Sequence, residues 1–335
     1  RLQRGEAGPW TWDEVGVRIY PPGVDRIDLL YPIEGPVTDI DTPEDLLTVR
    51  ARMERKRILF RVRMSDRVGS GHWQRCRLIA ERLQHHLAIF HFIEDEPDCP
   101  WPKWNDKINW TSGAVDVIVN DTLDTTEADM LALRAIAPVL TLEDSGPGRQ
   151  LANLSINALY EDGGRWAVLR PEFTSAPPYE VRREGTRILV TFGGTDPSGL
   201  TAKAIDAFSD MQTRIIRPPG WGASPVSMAA EMLWADVVVC SAGRTLYEAA
   251  HLGVPAVVMA QNPREETHRH LGTGCGNVFL GMGRMVDTNL LRSVTQSLLE
   301  DHRMREDLSA QARRVVDGRG LDRVVFEVER LARNL

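Results

Sequence analysis

Residues 69–76 read GSGHWQRC and lie between an apolar run, RILFRVRM, and a segment with helical spacing, RLIAERL. Small residues such as Gly69 and Gly71 let a chain turn sharply from strand to helix, and His72 stands where that helix opens. A neutral imidazole there can accept a proton from water or a hydroxyl, which is general-base work. The competing reading is a histidine that merely fills a tight turn, and spacing alone leaves both open. Arg75 follows three residues later, on the same helical face.

Two further turns carry residue types suited to anions. In LVTFGGTDPSG, Gly193, Gly194 and Thr195 directly follow a strand-like run, and Asp196 comes next. In VVVCSAGRTLYEAA, Ser241, Ala242 and Gly243 follow a second such run, and Thr245 opens a helix. Glycines let backbone amides approach a ligand, and a helix start carries about half a positive charge. Two such turns on one sheet point to a diphosphate, against the bland reading of two ordinary strand-to-helix turns. Glu248 lies three residues after Thr245 and could accept both hydroxyls of a ribose, or be only a solvated or capping carboxylate. Neither GxxxxGK[ST] nor a post-strand GxGxxG occurs, which argues against ATPase and dinucleotide-dehydrogenase readings. Among the other histidines, His85 and His86 read as a helix end, and His268 and His270 in REETHRHL as a solvated helix face.

The elements that must position these groups alternate. RILFRVR, LAIFHFI, VDVIVND and PVLTLED read as strands, separated by the helical HWQRCRLIAERLQHH and EADMLALRAIA. A linker, RPEFTSAPPYEVRREGT, follows, and the alternation restarts at RILVTFGG and runs through VPAVVMA before closing helical material from about residue 288. Apolar runs separated by helices predict parallel sheets with crossover connections. The expected fold is α/β: two Rossmann-like doubly wound domains, 57–180 and 186–335, facing a cleft. An appendage, residues 1–56, has too few apolar positions for its own core. It holds one helix signal, with Asp41 or Thr42 as N-cap and Pro43 in the first turn.

Bulk properties narrow the function classes. A net charge of −7 over 335 residues argues against nucleic acid or an anionic membrane surface as partner. No apolar run approaches the ~20 residues of a membrane span. The cysteines, Cys76, Cys99, Cys240 and Cys275, form no CxxC pair, so neither a disulfide framework nor a zinc site is expected, and a reducing cytoplasm fits. The sequence opens on Arg1 with no signal-like stretch, consistent with a piece of a longer polypeptide.

GSGHWQR, VNDTLD, LEDSG, FGGTDPSGLT, SAGRTLYEAAHLGVPAVVMAQN and VDGRGLDRVV, in that order over roughly residues 57–325, resemble the UDP-sugar hydrolases of pseudaminic acid biosynthesis. Those enzymes release 2,4-diacetamido-2,4,6-trideoxy-β-L-altropyranose from UDP and are similar in fold to GT-B glycosyltransferases. The resemblance implies that His72 is catalytic, that water attacks C1 of the sugar, and that UDP leaves by C–O cleavage. It implies substrate and UDP contacts from Gly69, Gly71, Arg75, Asp121, Gly193, Gly194, Thr195, Ser241, Ala242, Gly243, Thr245, Glu248 and Asn262. Pro263 stands where that family usually has glutamine after Asn262, and Asn120 precedes Asp121 in place of an apolar residue. No cofactor and no metal are expected for this part.

DIDTPEDL, in the appendage, is similar to the C-terminal end of acylneuraminate cytidylyltransferases, in which Asp39 and Asp41 would help hold a metal beside CTP. That implies fusion to an upstream cytidylyltransferase domain, and metal binding only if that domain is present. Two rivals stay open: a GT-B transferase passing the sugar to a hydroxyl, and a non-catalytic nucleotide-sugar binder. Trp73, with Trp101, Trp104 and Trp110, could serve the first as an acceptor platform or be ordinary packing.

Overall fold

The structure, a computed structural model, describes residues 54–65, 69–94, 115–160, 162–193, 196–216 and 227–333, with two short strands before them. The chain divides into two compact units, Arg1–Arg55 and Lys56–Leu335. In the first, β1 (Thr11–Asp13) and β2 (Gly16–Arg18) pair as an antiparallel hairpin. Asp39, Asp41, the helix signal after them, and Trp101, Trp104 and Trp110 lie outside the described residues.

The second unit holds two parallel sheets. Strands β3 (Arg57–Met64), β4 (Leu87–Glu94), β5 (Val117–Asp121), β6 (Val139–Leu142) and β7 (Leu154–Ile156) lie in the order β4-β3-β5-β6-β7. Helices α1 (Gly71–Arg82) and α2 (Glu127–Arg134) form two of the crossovers. After the one-turn α3 (Pro171–Thr174) come β8 (Arg187–Thr191), β9 (Gln212–Ile215), β10 (Val237–Cys240), β11 (Ala256–Ala260) and β12 (Asn277–Met282). Their order is β12-β11-β10-β8-β9, with α4 (Leu200–Ala207), α5 (Met228–Trp234) and α6 (Arg244–Leu252) between strands. VIVND, VVVC and AVVMA are buried at every position, as strands covered on both faces must be.

Each sheet reverses once. The chain steps from β3 outward to β4 and then lays β5 on the other side of β3. It repeats this with β8, β9 and β10. Ligands of open α/β sheets bind at such switch points, beyond the carboxyl ends of the strands. His72 follows β3, Asp121 ends β5, Gly193 follows β8 and Ser241 follows β10, so the topology alone gathers these residues at the two switch points.

The closing helices divide rather than staying with the second half. Leu291 and Leu298 of α7 (Thr288–Glu300) and Leu308 of α8 (His302–Val315) pack with Val190 and Val257 of the second sheet. Val324, Val328 and Leu331 of α9 (Gly320–Ala332) instead join Phe60, Trp73 and Leu78 in the core of the first. Their i, i+4, i+7 spacing makes one apolar stripe, and both faces of the second sheet already carry cores of their own. Arg82–Asp322 at 2.6 Å and His85–Glu329 at 2.9 Å fasten α9 to the first half.

Candidate active site

The turn into α1 depends on Gly69, whose φ of +85° would strain any side chain and whose amide donates to Ser65 O at 2.8 Å. Gly71 is less constrained, since an added Cβ would meet only Arg244, at 3.8 Å. His72 is the second residue of α1, and its Nδ1 lies 2.5 Å from Oδ1 of Asp121. Arg75, on the same face, donates from Nε and Nη2 to both oxygens of that carboxylate, each at 2.7 Å. Its Nη1 reaches Glu143 Oε1 at 3.2 Å, and Glu143 Oε2 accepts the Leu159 amide at 3.1 Å.

Asp121 is fully buried. Burial alone would raise its pKa, but Arg75 first and His72 next outweigh that and hold the carboxyl well below the usual range. An ionised carboxylate at this distance keeps a proton on Nδ1 and leaves the Nε2 lone pair as the acceptor. Among the described residues Nε2 of His72 has no hydrogen-bond partner. The arrangement is a histidine oriented by an aspartate that is itself held by a bidentate arginine, a geometry that suits a general base.

In the second half, three residues separate β10 from α6, with Gly243 as N-cap, and no side chain caps it. Ser241 and Ala242 are buried behind it, and the Ala242 carbonyl faces His268 Nδ1 at 2.7 Å. Thr245 is half-buried in the first turn. The other turn is different. Gly193, at φ +80°, has open space around it, while Gly194 and Thr195 lie outside the described residues. Helix α4 begins only at Leu200, and Asp196 takes the amides of Leu200 and Thr201 at 2.9 and 2.8 Å. The expected free helix start is therefore absent at this turn: the aspartate in its own motif occupies it.

Glu248 is buried and accepts from Arg170 Nε at 3.0 Å, so it is neither a solvated nor a capping carboxylate. Asn262 is exposed, and its Oδ1 accepts the Glu265 amide at 3.1 Å, which closes the turn after β11.

Two arginines that the sequence reading passes over join the halves. Arg244, first residue of α6, donates from Nη1 to the Gly71 carbonyl, so the starts of α1 and α6 face each other. It forms no ion pair among the described residues, and burial, with Arg75 adding repulsion, pulls its pKa down to about 10. Arg264 reaches Asp124 Oδ2 at 2.7 Å, the Glu143 carbonyl at 2.8 Å and the Tyr160 hydroxyl. A cation inside an anion-type turn was the legible signal for Arg244. Arg264 offered none, because its partners are remote in sequence.

His268 and His270 are not on a solvated face: both are buried in a loop, and His270 stacks on Tyr247 at a centroid distance of 4.2 Å. Burial, followed by repulsion from His268, lowers the pKa of His270 to about 3. Beyond the far end of α1, His85, His86 and Glu329 bring potential metal-ligand atoms within 4.8 Å of one another. The Lys56 amide points at His86 Nδ1 at 3.3 Å, which leaves the proton of the neutral ring on Nε2 and makes that nitrogen a poor ligand. Among the described residues no helix is long and apolar enough to cross a membrane. Cys76, Cys240 and Cys275 are free thiols.

No protein-family model matches the sequence. Over 227 residues, 56% of this chain and 67% of the other, it is 26% identical to the spore coat polysaccharide biosynthesis protein SpsG of Bacillus subtilis. It is 29% identical over 133 residues to the uncharacterized protein MJ1062 of Methanocaldococcus jannaschii, spanning 31% of this chain and 28% of that protein. Among solved structures, Acinetobacter baumannii MurG superposes with a TM-score of 0.58 at 15% identity, over 82% of this chain and 99% of that one. The glycotransferase of kitacinnamycin follows at 0.56 and 15% identity, over 83% and 99%. The S. aureus MnaA–UDP co-structure gives 0.55 at 14% identity, over 84% and 98%. With its two switch points facing across Arg244, the chain has the GT-B fold, and over 227 residues it is similar to a protein of polysaccharide biosynthesis.

Proposed function

We propose that this chain hydrolyses a UDP-activated 2,4-diacetamido-2,4,6-trideoxy sugar to free sugar and UDP. The observation that carries the reading is the His72–Asp121–Arg75 arrangement, with Nδ1 anchored at 2.5 Å and Nε2 left to act. Water attacks C1 of the sugar, its proton passes to Nε2 of His72, and the C1–O bond breaks with its electron pair leaving on UDP. The uncapped start of α6, with the Arg244 guanidinium beside it, is suited to the developing charge on the diphosphate. Contacts with UDP orient C1 toward the water. Gly193, Gly194, Thr195, Ser241, Ala242, Gly243 and Thr245 supply the diphosphate-side backbone, Glu248 and Arg170 border the ribose, and Asn262 lies toward the sugar. The 26% identical polysaccharide biosynthesis protein is compatible with a nucleotide-sugar substrate.

A hydroxyl in place of water would make the same apparatus a glycosyltransferase, and the fold does not separate the two. The test is UDP release from UDP-2,4-diacetamido-2,4,6-trideoxy-β-L-altropyranose with no acceptor but water, by wild type and by His72→Ala. The expected result is release by wild type and a ~10²–10⁴-fold lower kcat in the variant, with UDP affinity retained. UDP binding without release would move the transferase reading forward. An unchanged kcat in the variant would return His72 to a structural role.

A further inference from the structure

The residues that hold His72 in place do not end within its own half of the molecule. Glu143, the residue after β6, combines three unusual features. It is buried, its backbone is left-handed at φ +52° without being glycine, and each of its polar ends is engaged by a different part of the unit. Its carboxylate takes Arg75 Nη1 at 3.2 Å and the Leu159 amide at 3.1 Å, and its carbonyl takes Arg264 Nη2 at 2.8 Å. A non-glycine residue in this conformation costs on the order of 1–2 kcal/mol and persists only where its surroundings over-determine it.

Arg264 belongs to the second half, in the turn after β11. That turn is tied to itself by the Gln261 amide on Glu265 Oε2 at 2.9 Å and the Glu265 amide on Asn262 Oδ1 at 3.1 Å. The guanidinium is also held by Asp124 at 2.7 Å and stands over the Tyr160 ring at 5.2 Å. From this fixed base it sets the Glu143 carbonyl, and Glu143 sets Arg75. Arg75 in turn fixes both oxygens of Asp121, and Asp121 fixes Nδ1 of His72.

We infer that Arg264 is a positioning residue of the second half that acts through Glu143 and Arg75 to aim the imidazole of His72, so that the base is correctly oriented only when the two halves are joined. The inference rests on the reading of His72 as the general base. It differs from a simple closure contact in what it demands of the other two bonds: those to Asp124 and Tyr160 hold the halves together without directly touching Glu143, Arg75 or Asp121, Asp124 meeting that segment only at the Ser145 amide.

Two readouts on the full chain test it. Proton NMR of the short Nδ1–H···Asp121 bond, a downfield signal absent in His72→Ala, reports the imidazole without any substrate. Arg264→Met should shift or abolish that signal, whereas Asp124→Asn and Tyr160→Phe should leave it in place. On the UDP-sugar, Arg264→Met should lower kcat by ~10–100-fold while KM stays within about threefold, the mark of misaimed chemistry rather than lost binding. Arg264→Lys, which keeps the charge but loses the fork, should show the same signal change at milder cost and serves if the methionine variant does not fold. An unchanged signal in both Arg264 variants overturns the inference even if hydrolysis is confirmed. A wild type that shows the signal and its dependence on Arg264 but releases no UDP overturns the hydrolase reading and leaves the coupling standing.

Discussion

The two glycine-bearing turns of the second sheet look alike in sequence and end in different states. Both leave a buried strand at the same switch point, and both lead into a helix. At the turn after β10 only three residues precede the helix, with glycine as N-cap and no side-chain cap. At the turn after β8 six further residues intervene after Gly193, and Asp196 folds back onto the amides of Leu200 and Thr201. The start of α6 carries no side-chain cap, whereas the first amides of α4 are already taken by Asp196. The pattern extends across the molecule. Helices α2, α5, α7 and α8 are capped by Thr126, Ser227, Asp287 and Asp301. Helices α1, α3, α6 and α9 have no side-chain cap, and of these α1 and α6 start opposite each other across Arg244. Leaving a helix start without a side-chain cap weakens a fold slightly, and two such starts, those of α1 and α6, face each other at the candidate site.

Substitutions at these helix starts test the contrast. The largest effect is expected at the open start of α1, where Asp121→Asn leaves the buried Arg75 without its counter-charge and should cost about 3 kcal/mol in denaturant unfolding at pH 7. Because the folded-state pKa of Asp121 is depressed, the wild-type advantage is fully present above the ordinary carboxylate range and shrinks as pH falls through that range and below it. The difference between wild type and variant should therefore narrow in acid; a constant difference would show that charge is not its source.

Next comes Gly243→Asp, which gives α6 the cap that Asp196 gives α4. Gly243 has ordinary backbone angles and room for a Cβ, with Ser241 Oγ at 3.8 Å, so the variant should fold. Its carboxylate should weaken UDP binding by ~10–100-fold in calorimetry, from occupied amides and repulsion of the diphosphate. Equal affinity would mean that the open start is not where the diphosphate sits. The converse change, Asp196→Ala, should lower stability by about 1 kcal/mol and alter UDP affinity by less than about threefold. The smallest effect belongs to Thr126→Ala in α2, whose side chain pairs with Asp129 and with no candidate site residue: at most about 1 kcal/mol in thermal unfolding and none in UDP binding.

The order of strands and helices along the chain and the parallel sheets follow from sequence patterns that are local, since apolar runs and helical spacing are set by neighbours a few residues apart. The turn at His72 and the glycine turns were legible for the same reason. Tertiary structure decided how those pieces are joined. His72, Arg75 and Asp121 each appear in the sequence as candidates, but that one carboxylate holds the other two is a matter of strand register between β3 and β5. Whether Asp196 points at a ligand or at its own helix depends on backbone angles that no motif states; its φ is +38°. The crossing of α9 to the first sheet and the reach of Arg264 to Glu143, 121 residues away in the chain, depend on which surfaces the rest of the fold leaves open. Residue types and short spacings specify which groups are present. The long-range packing that orders them specifies which are paired, and pairing is what singles out one histidine and one helix start as candidates.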